Sequence, residues 1–135
     1  MKKNNSSSQR ALSLFEDQGY NCAESILLTF LPQGEEELAK LATPFGGGIG
    51  KERDLCGILT GGVMVIGYFR GRTLASEVDK KKEAQELASD YYRWFEKQYG
   101  KACNDILPED HFKGHADNCL DLIARAAEYL EQLLF

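Results

Sequence analysis

Apolar residues recur along this chain at spacings of three and four, the signature of helices with one buried side. Leu12 and Phe15, with Leu14 beside them, predict a first helix over Ala11 to Gln18, stopped by Gly19. Ile26, Leu27 and Phe30 predict a second from Cys22 to Phe30, broken by Pro32-Gln33-Gly34. Asn21 is its expected cap, accepting from the first-turn amides while Glu24 reaches back. Glu35-Glu36-Glu37 opens a short third helix, where acids meet the positive end of the dipole. Leu38, Leu41 and Ala42 are expected to face inward, and Pro44 to end it.

Phe45-Gly46-Gly47-Gly48-Ile49-Gly50 reads as a loop, and a small, apolar helix follows from about Asp54–Cys56 to Tyr68. Gly57, Gly61, Gly62 and Gly67 lower its propensity, which close approach of another backbone would explain. The longest helix is expected from Leu74 to Tyr99, with Ala84, Leu87, Ala88, Tyr91, Trp94 and Phe95 at helical spacing. Cys103 to Leu107 reads as one turn before Pro108. The last helix is expected from Cys119 to Leu134, with Leu120, Ile123, Ala124, Ala127, Leu130 and Leu134 on one side. No segment alternates as a strand does. The pattern predicts an all-α, compact bundle of five or six helices with glycine-rich turns. Its 135 residues suit one domain: a polar, disordered tail over 1–10 and a single helical domain over 11–135.

Charge narrows the partners. A net charge of -5 argues against nucleic acid, and Lys80-Lys81-Lys82 runs into Glu83 and Glu86, as on a solvated helix face. The apolar run Ile58 to Phe69 is too short to span a bilayer. Lys2 and Lys3 are followed by polar residues and not by the apolar core of a secretory signal. The expected place is the cytoplasm, with no membrane partner. Four cysteines in a reducing compartment read as thiols, metal ligands or redox partners, not permanent disulfides.

Cys22, Cys56, Cys103 and Cys119 all fall at or near expected helix starts. Asn21-Cys22-Ala23-Glu24 and Asn118-Cys119-Leu120-Asp121 share one local pattern: Asn as cap, Cys at the first helical position, an acid two residues on. Unpaired amides and the dipole favour a thiolate there, suited to attack a disulfide or bind a soft metal. The spacing is not that of a zinc finger, a CxxC redox motif or a ferredoxin run. The residues alone leave open an iron–sulfur cluster, zinc, dithiol–disulfide cycling and plain core packing.

Taken together, Gly19-Tyr20-Asn21-Cys22-Ala23-Glu24, the Phe45–Gly50 loop, Cys56-Gly57-Ile58-Leu59-Thr60-Gly61-Gly62, Gly71-Arg72, Tyr99-Gly100-x-x-Cys103 and Cys119 resemble the C_GCAxxG_C_C family of redox-active proteins. The likeness runs from about Ala11 to Leu130. Leu55 stands where the family name has a glycine, Gly57-Ile58 where it has alanine, and Gly61 meets its final glycine. The resemblance implies a redox role with a metal or iron–sulfur centre on Cys22, Cys56, Cys103 and Cys119. It implies electron transfer with a redox partner protein and supplies no substrate, so no catalytic residue is assigned. A metal-free thiol–disulfide protein and a zinc-stabilised structural or interaction protein stay beside it. Glycine-rich surfaces and an aromatic helix also suit a homodimer.

Other residues carry weaker chemistry. Phe45–Gly50 fails the Walker and GxGxxG patterns, and is better read as a tight turn offering amides beside Cys56. Gly57-x-x-x-Gly61 favours close helix packing, with approach of another cysteine-bearing segment to Cys56 as the sharper alternative. His111 and His115 lie four apart without the glutamate of a zinc-protease motif, and read as surface residues. Glu24 and Asp121 read as capping acids, with base chemistry at the thiols as the sharper alternative. Arg72 reads as an acid's partner, or a cation offsetting the charge of a cluster. Tyr91, Trp94, Phe95 and Tyr99 read as core or interface.

Overall fold

The first helix is fixed by a serine. In a computed structural model describing residues 6–106 and 117–135, Ser6 Oγ accepts from Gln9 N at 3.2 Å, so α1 spans Ser7–Glu16. It begins at Ser7, not Ala11, and residues 7–10, expected in a tail, are helical. The serine run that reads as disorder supplies both the cap and a tether. Ser7 Oγ donates to Glu131 at 2.5 Å and to the Ala127 carbonyl at 3.3 Å. Gly19, at φ 84°, reverses the chain after α1.

The second helix, α2, spans Cys22–Phe30, as expected, and its capping box is complete. Glu24 N donates to Asn21 Oδ1 at 2.8 Å and Asn21 N to Glu24 Oε1 at 2.9 Å. The box is tied to the next element as well. Asn21 Nδ2 donates to the Thr43 carbonyl at 3.1 Å, and Thr43 Oγ1 to Glu24 Oε2 at 2.6 Å.

That next element, Glu36–Phe45, is a 3-10 helix with Pro44 inside it. Its repeat of three residues buries Ala39 and Ala42. Leu41, expected inside from a period of 3.6, is 57% exposed. Helix α3 spans Gly57–Arg70 with Cys56 as its cap. Helix α4 spans Val78–Tyr99, starting later than Leu74 because the Glu77 carboxylate accepts from Thr73 N and Leu74 N and folds that segment into a turn. Helix α5 is the short turn Cys103–Ile106, and α6 spans Asp117–Leu134.

Among the described residues the fold is thus all-α, six α-helices and one 3-10 helix, with one isolated antiparallel bridge, Leu55 to Ala102. Helix α2 packs along α3, and α1 runs along both α2 and α6. Helix α4 covers the other side of α3. Gly61 allows the central contact, since a Cβ there would lie 2.7 Å from the Ala23 carbonyl oxygen. Gly62 receives Tyr91, whose ring would meet a Cβ at 2.4 Å and whose hydroxyl donates to the Ile58 carbonyl at 2.7 Å. Tyr91 and Phe95 are buried, while Trp94 stacks on Tyr129 with centroids 4.5 Å apart. On the expected side of α6, Ile123, Ala127, Leu130 and Leu134 are buried and Leu120 and Ala124 half-buried, while Leu122 and Ala126 are buried beside them. Among the described residues no helix is long and apolar enough to cross a membrane.

Candidate functional site

The four cysteines come from four segments, and two of them, Cys22 and Cys56, lie at the α2–α3 contact. Cys22 opens α2, as its sequence pattern predicts. Cys56 caps α3 with its own sulfur, accepting from Ile58 N at 3.4 Å. Between them, Gly57 removes the obstacle: a Cβ there would sit 2.7 Å from Cys22 Sγ. Gly57 thus gives the Cys22 side chain room beside the start of α3, while Gly61 serves the helix packing expected of the pair.

Cys103 is brought in by backbone pairing. Cys56 N donates to the Lys101 carbonyl at 2.9 Å, and Cys103 N to the Asp54 carbonyl at 2.5 Å. Across that pairing lies buried Gly48, where a Cβ would be 2.7 Å from Cys103 Cβ. Cys119 arrives on α6, but not in the expected manner. It lies within α6, and Asn118 is itself helical, so it is not the counterpart of Asn21, which precedes its helix. Asn118 Nδ2 instead donates to the Ile106 carbonyl at 3.2 Å, fastening α6 to α5. The two similar sequence patterns thus do different work.

Electrostatics link the four sulfurs. Burial, and then the neighbouring Cys103, raise the Cys22 thiol, against hydrogen bonds from the Gly47 and Ala23 amides. Burial pushes Cys56 well up, and Cys22 and Cys119 add to it, against the Ile58 and Leu59 amides. Burial, Cys22 and Cys103 push Cys119 up to about 11. Burial also raises Cys103. The thiolate-favouring setting expected at the helix starts is outweighed, because desolvation exceeds the help from amides. All four groups are free thiols; Cys56 is buried, and the others are partly exposed.

The glycine loop does present an amide, from Gly47, but to Cys22 and not to Cys56. Arg53, which sequence reasoning did not single out, is the charged residue whose field reaches two of the thiols. It opposes the rise at both Cys103 and Cys119. Arg72, the expected cation, instead donates to the Ala75 carbonyl at 2.9 Å within the turn after α3. Asp121 accepts from Tyr99 Oη at 2.9 Å and pairs with Arg125 at 3.3 Å. Glu24 is held in the capping box and by Thr43. His111 and His115 lie outside the described residues.

Four soft sulfur donors with amide hydrogen bonds fit a soft metal or an iron–sulfur cluster in their chemistry. Among the described residues, however, no three His, Cys, Asp or Glu side chains stand together in metal-holding geometry. A cleft of about 460 Å³ lies on the far side of the Asn21–Glu24 box, lined by Arg10, Tyr20, Glu24, Lys40 and Thr43 among others.

No curated protein and no solved structure matches the chain. One family model does, over residues 20–133, a span that takes in all four cysteines and the glycine loop. The chain belongs to that family, C_GCAxxG_C_C, described as "putative redox-active protein".

Proposed function

We propose that this protein is a cysteine-based redox protein whose working group is Cys22, Cys56, Cys103 and Cys119, and that these sulfurs hold an iron–sulfur cluster for electron transfer. The observation that carries the reading is the placement of Cys22 Sγ against Gly57, next to Cys56, with the Cys103 segment paired to the backbone of residues 54–56; the direction of the thiol shifts agrees with it. Gly57 leaves room for Cys22 Sγ beside the start of α3, and Gly48 for the Cys103 side chain beside the glycine-rich turn. A bound cluster supplies one-electron transfer. The chain supplies four ligand sulfurs, amides from Gly47, Ala23, Ile58 and Leu59 to take up negative charge, and a largely desolvated seat at Cys56. Burial makes the thiols hold their protons, so loading must release those protons and is expected to strengthen as pH rises. The reducing cytoplasm and a redox partner protein suit this chemistry.

The partial exposure of Cys22, Cys103 and Cys119 favours a second reading, thiol–disulfide exchange without metal. There, one thiolate attacks a partner disulfide and a second resolves the mixed disulfide, so two thiols lose two protons and two electrons as the partner gains them. Anaerobic purification with metal and sulfide analysis, alongside a visible spectrum, separates the readings. Iron with acid-labile sulfide, lost in each Cys→Ser variant, supports the cluster. A colourless, metal-free protein, unchanged by anaerobic reconstitution, sinks it in favour of exchange. Stoichiometric zinc points to a structural site.

A further inference from the structure

Helix α3 carries no charged side chain from Gly57 to Phe69. A helix that is apolar all round belongs inside a protein. Yet α3 reaches the surface along one line. Val63 is 39% and Tyr68 38% exposed, with Gly67 exposed between them and Met64 half-buried beside them.

The neighbouring 3-10 helix, Glu36–Phe45, does the same. Its period of three sorts its residues into rows. Ala39 and Ala42 form the buried row. Glu37, Lys40 and Thr43 form a polar row turned to the cleft beside the Asn21–Glu24 box, with Lys40 and Glu37 paired at 3.2 Å. The third row, Leu38, Leu41 and Pro44, is apolar, and Leu41 and Pro44 are exposed. One leucine in water needs no explanation, but an apolar row beside a second apolar face does. Between the two lies a groove of about 250 Å³ with a wholly apolar wall, lined by Leu27, Leu31, Leu38, Leu41, Met64 and Tyr68.

We propose that this face binds a second copy of the chain, in a two-fold dimer where the ridge of Leu38, Leu41 and Pro44 on each copy enters the groove of the other. The shape fits such a pair, because ridge and groove lie side by side and a two-fold axis brings each onto the other. The charge fits as well. The chain has a net charge of -5 and this face has none, so two acidic copies meet here without like charges opposed. A partner chosen by its charge would find nothing here to read. Ridge, groove and the α3 line leave roughly 400 Å² of apolar surface, half of the ~800 Å² per partner in a standard interface, which is close to the apolar share such interfaces carry. The paired Glu37 and Lys40 border the face and suit its polar rim. None of this depends on the redox reading above.

Sedimentation velocity tests the proposal on the full chain, kept reduced so that no disulfide-linked pair is counted. The wild type is expected to pass from monomer to dimer across the micromolar range. Added salt should tighten the dimer, since it screens the repulsion between two acidic chains and leaves the apolar contact alone. Leu41→Lys and Val63→Lys change residues that are already exposed, so both should keep the helicity and melting temperature of the wild type. Each should raise the dissociation constant about tenfold or more. Val78→Lys alters a residue 63% exposed on α4, which lies on the other side of α3 from α2, and should leave association unchanged. A chain that is monomeric at every concentration overturns the proposal. So does a dimer that both lysine variants leave intact, that Val78→Lys weakens equally, or that salt dissolves. A monomeric chain whose binding of the apolar dye anilinonaphthalene sulfonate falls in Leu41→Lys would give the face to a different partner, and would likewise overturn the second copy.

Discussion

At Gly62 a methyl group would fall 2.4 Å from the ring of buried Tyr91, and at Gly67, one turn on, it would meet nothing within 4 Å. The same substitution should therefore have opposite signs on one helix. Gly62→Ala is expected to destabilise by about 1–3 kcal/mol through overpacking. Gly67→Ala should stabilise by about 1 kcal/mol through helix propensity. Urea denaturation of both variants checks the pair. Ser25 offers a related test, because its hydroxyl is fully buried without a hydrogen-bond partner. Ser25→Ala should be neutral or up to about 1 kcal/mol more stable. The thiols make stability depend on pH. Folding raises Cys119 from 9.0 to about 11, so the native chain holds that proton more tightly than the unfolded one. This contribution is complete below the unfolded pKa and is lost as pH rises through the folded value. Cys22, Cys56 and Cys103 shift in the same direction. Melts of the reduced, metal-free chain should hold steady near neutral pH and fall above about pH 9, less steeply in Cys119→Ser. Sequence could name the four cysteines but not their protonation, since an amide at a helix start is a local feature and desolvation comes from distant segments.

Among the elements, α2 was legible to the residue because its signals are local: Asn21, Glu24 and a following break. Replacing Asn21 with Ala should cost about 1–2 kcal/mol, beyond a simple cap in that its Nδ2 also holds the Thr43 carbonyl. Thr43→Val, which spares the cap and removes only the bond to Glu24, should cost less; thermal melts of the two variants order them. The element after α2 was misjudged because its residues repeat with a period of three, and Leu41 lies outside as a result. The first helix was clipped because serines read as solvent-loving tail, although Ser6 and Ser7 form a cap and an interhelical bond. The α6 start was taken from a pattern copied from α2, but the same Asn-Cys pair is spent there on fastening α5.

For the molecule as a whole, the periodicity of apolar residues was enough for an all-α bundle, and glycine spacing enough for a close contact on α3, though not for its partner, α2. Which cysteines meet was not readable from their separations, because Cys22 to Cys119 is closed by helix packing and not by any local motif. The grouping depends on α6 lying against α1, α3 and α4, with Arg70 Nη2 donating to the Leu134 carbonyl at 2.8 Å across the bundle. This order of assembly has a consequence for synthesis. A ribosome that has released α2 and α3 has delivered two of the four thiols, and the helix carrying Cys119 emerges much later. Until then α1 has no neighbour on its outer side and the fourth sulfur does not exist for the others. The centre is therefore closed only after translation has passed α6, so a growing chain offers separate thiols to the cell and the finished chain alone offers the set.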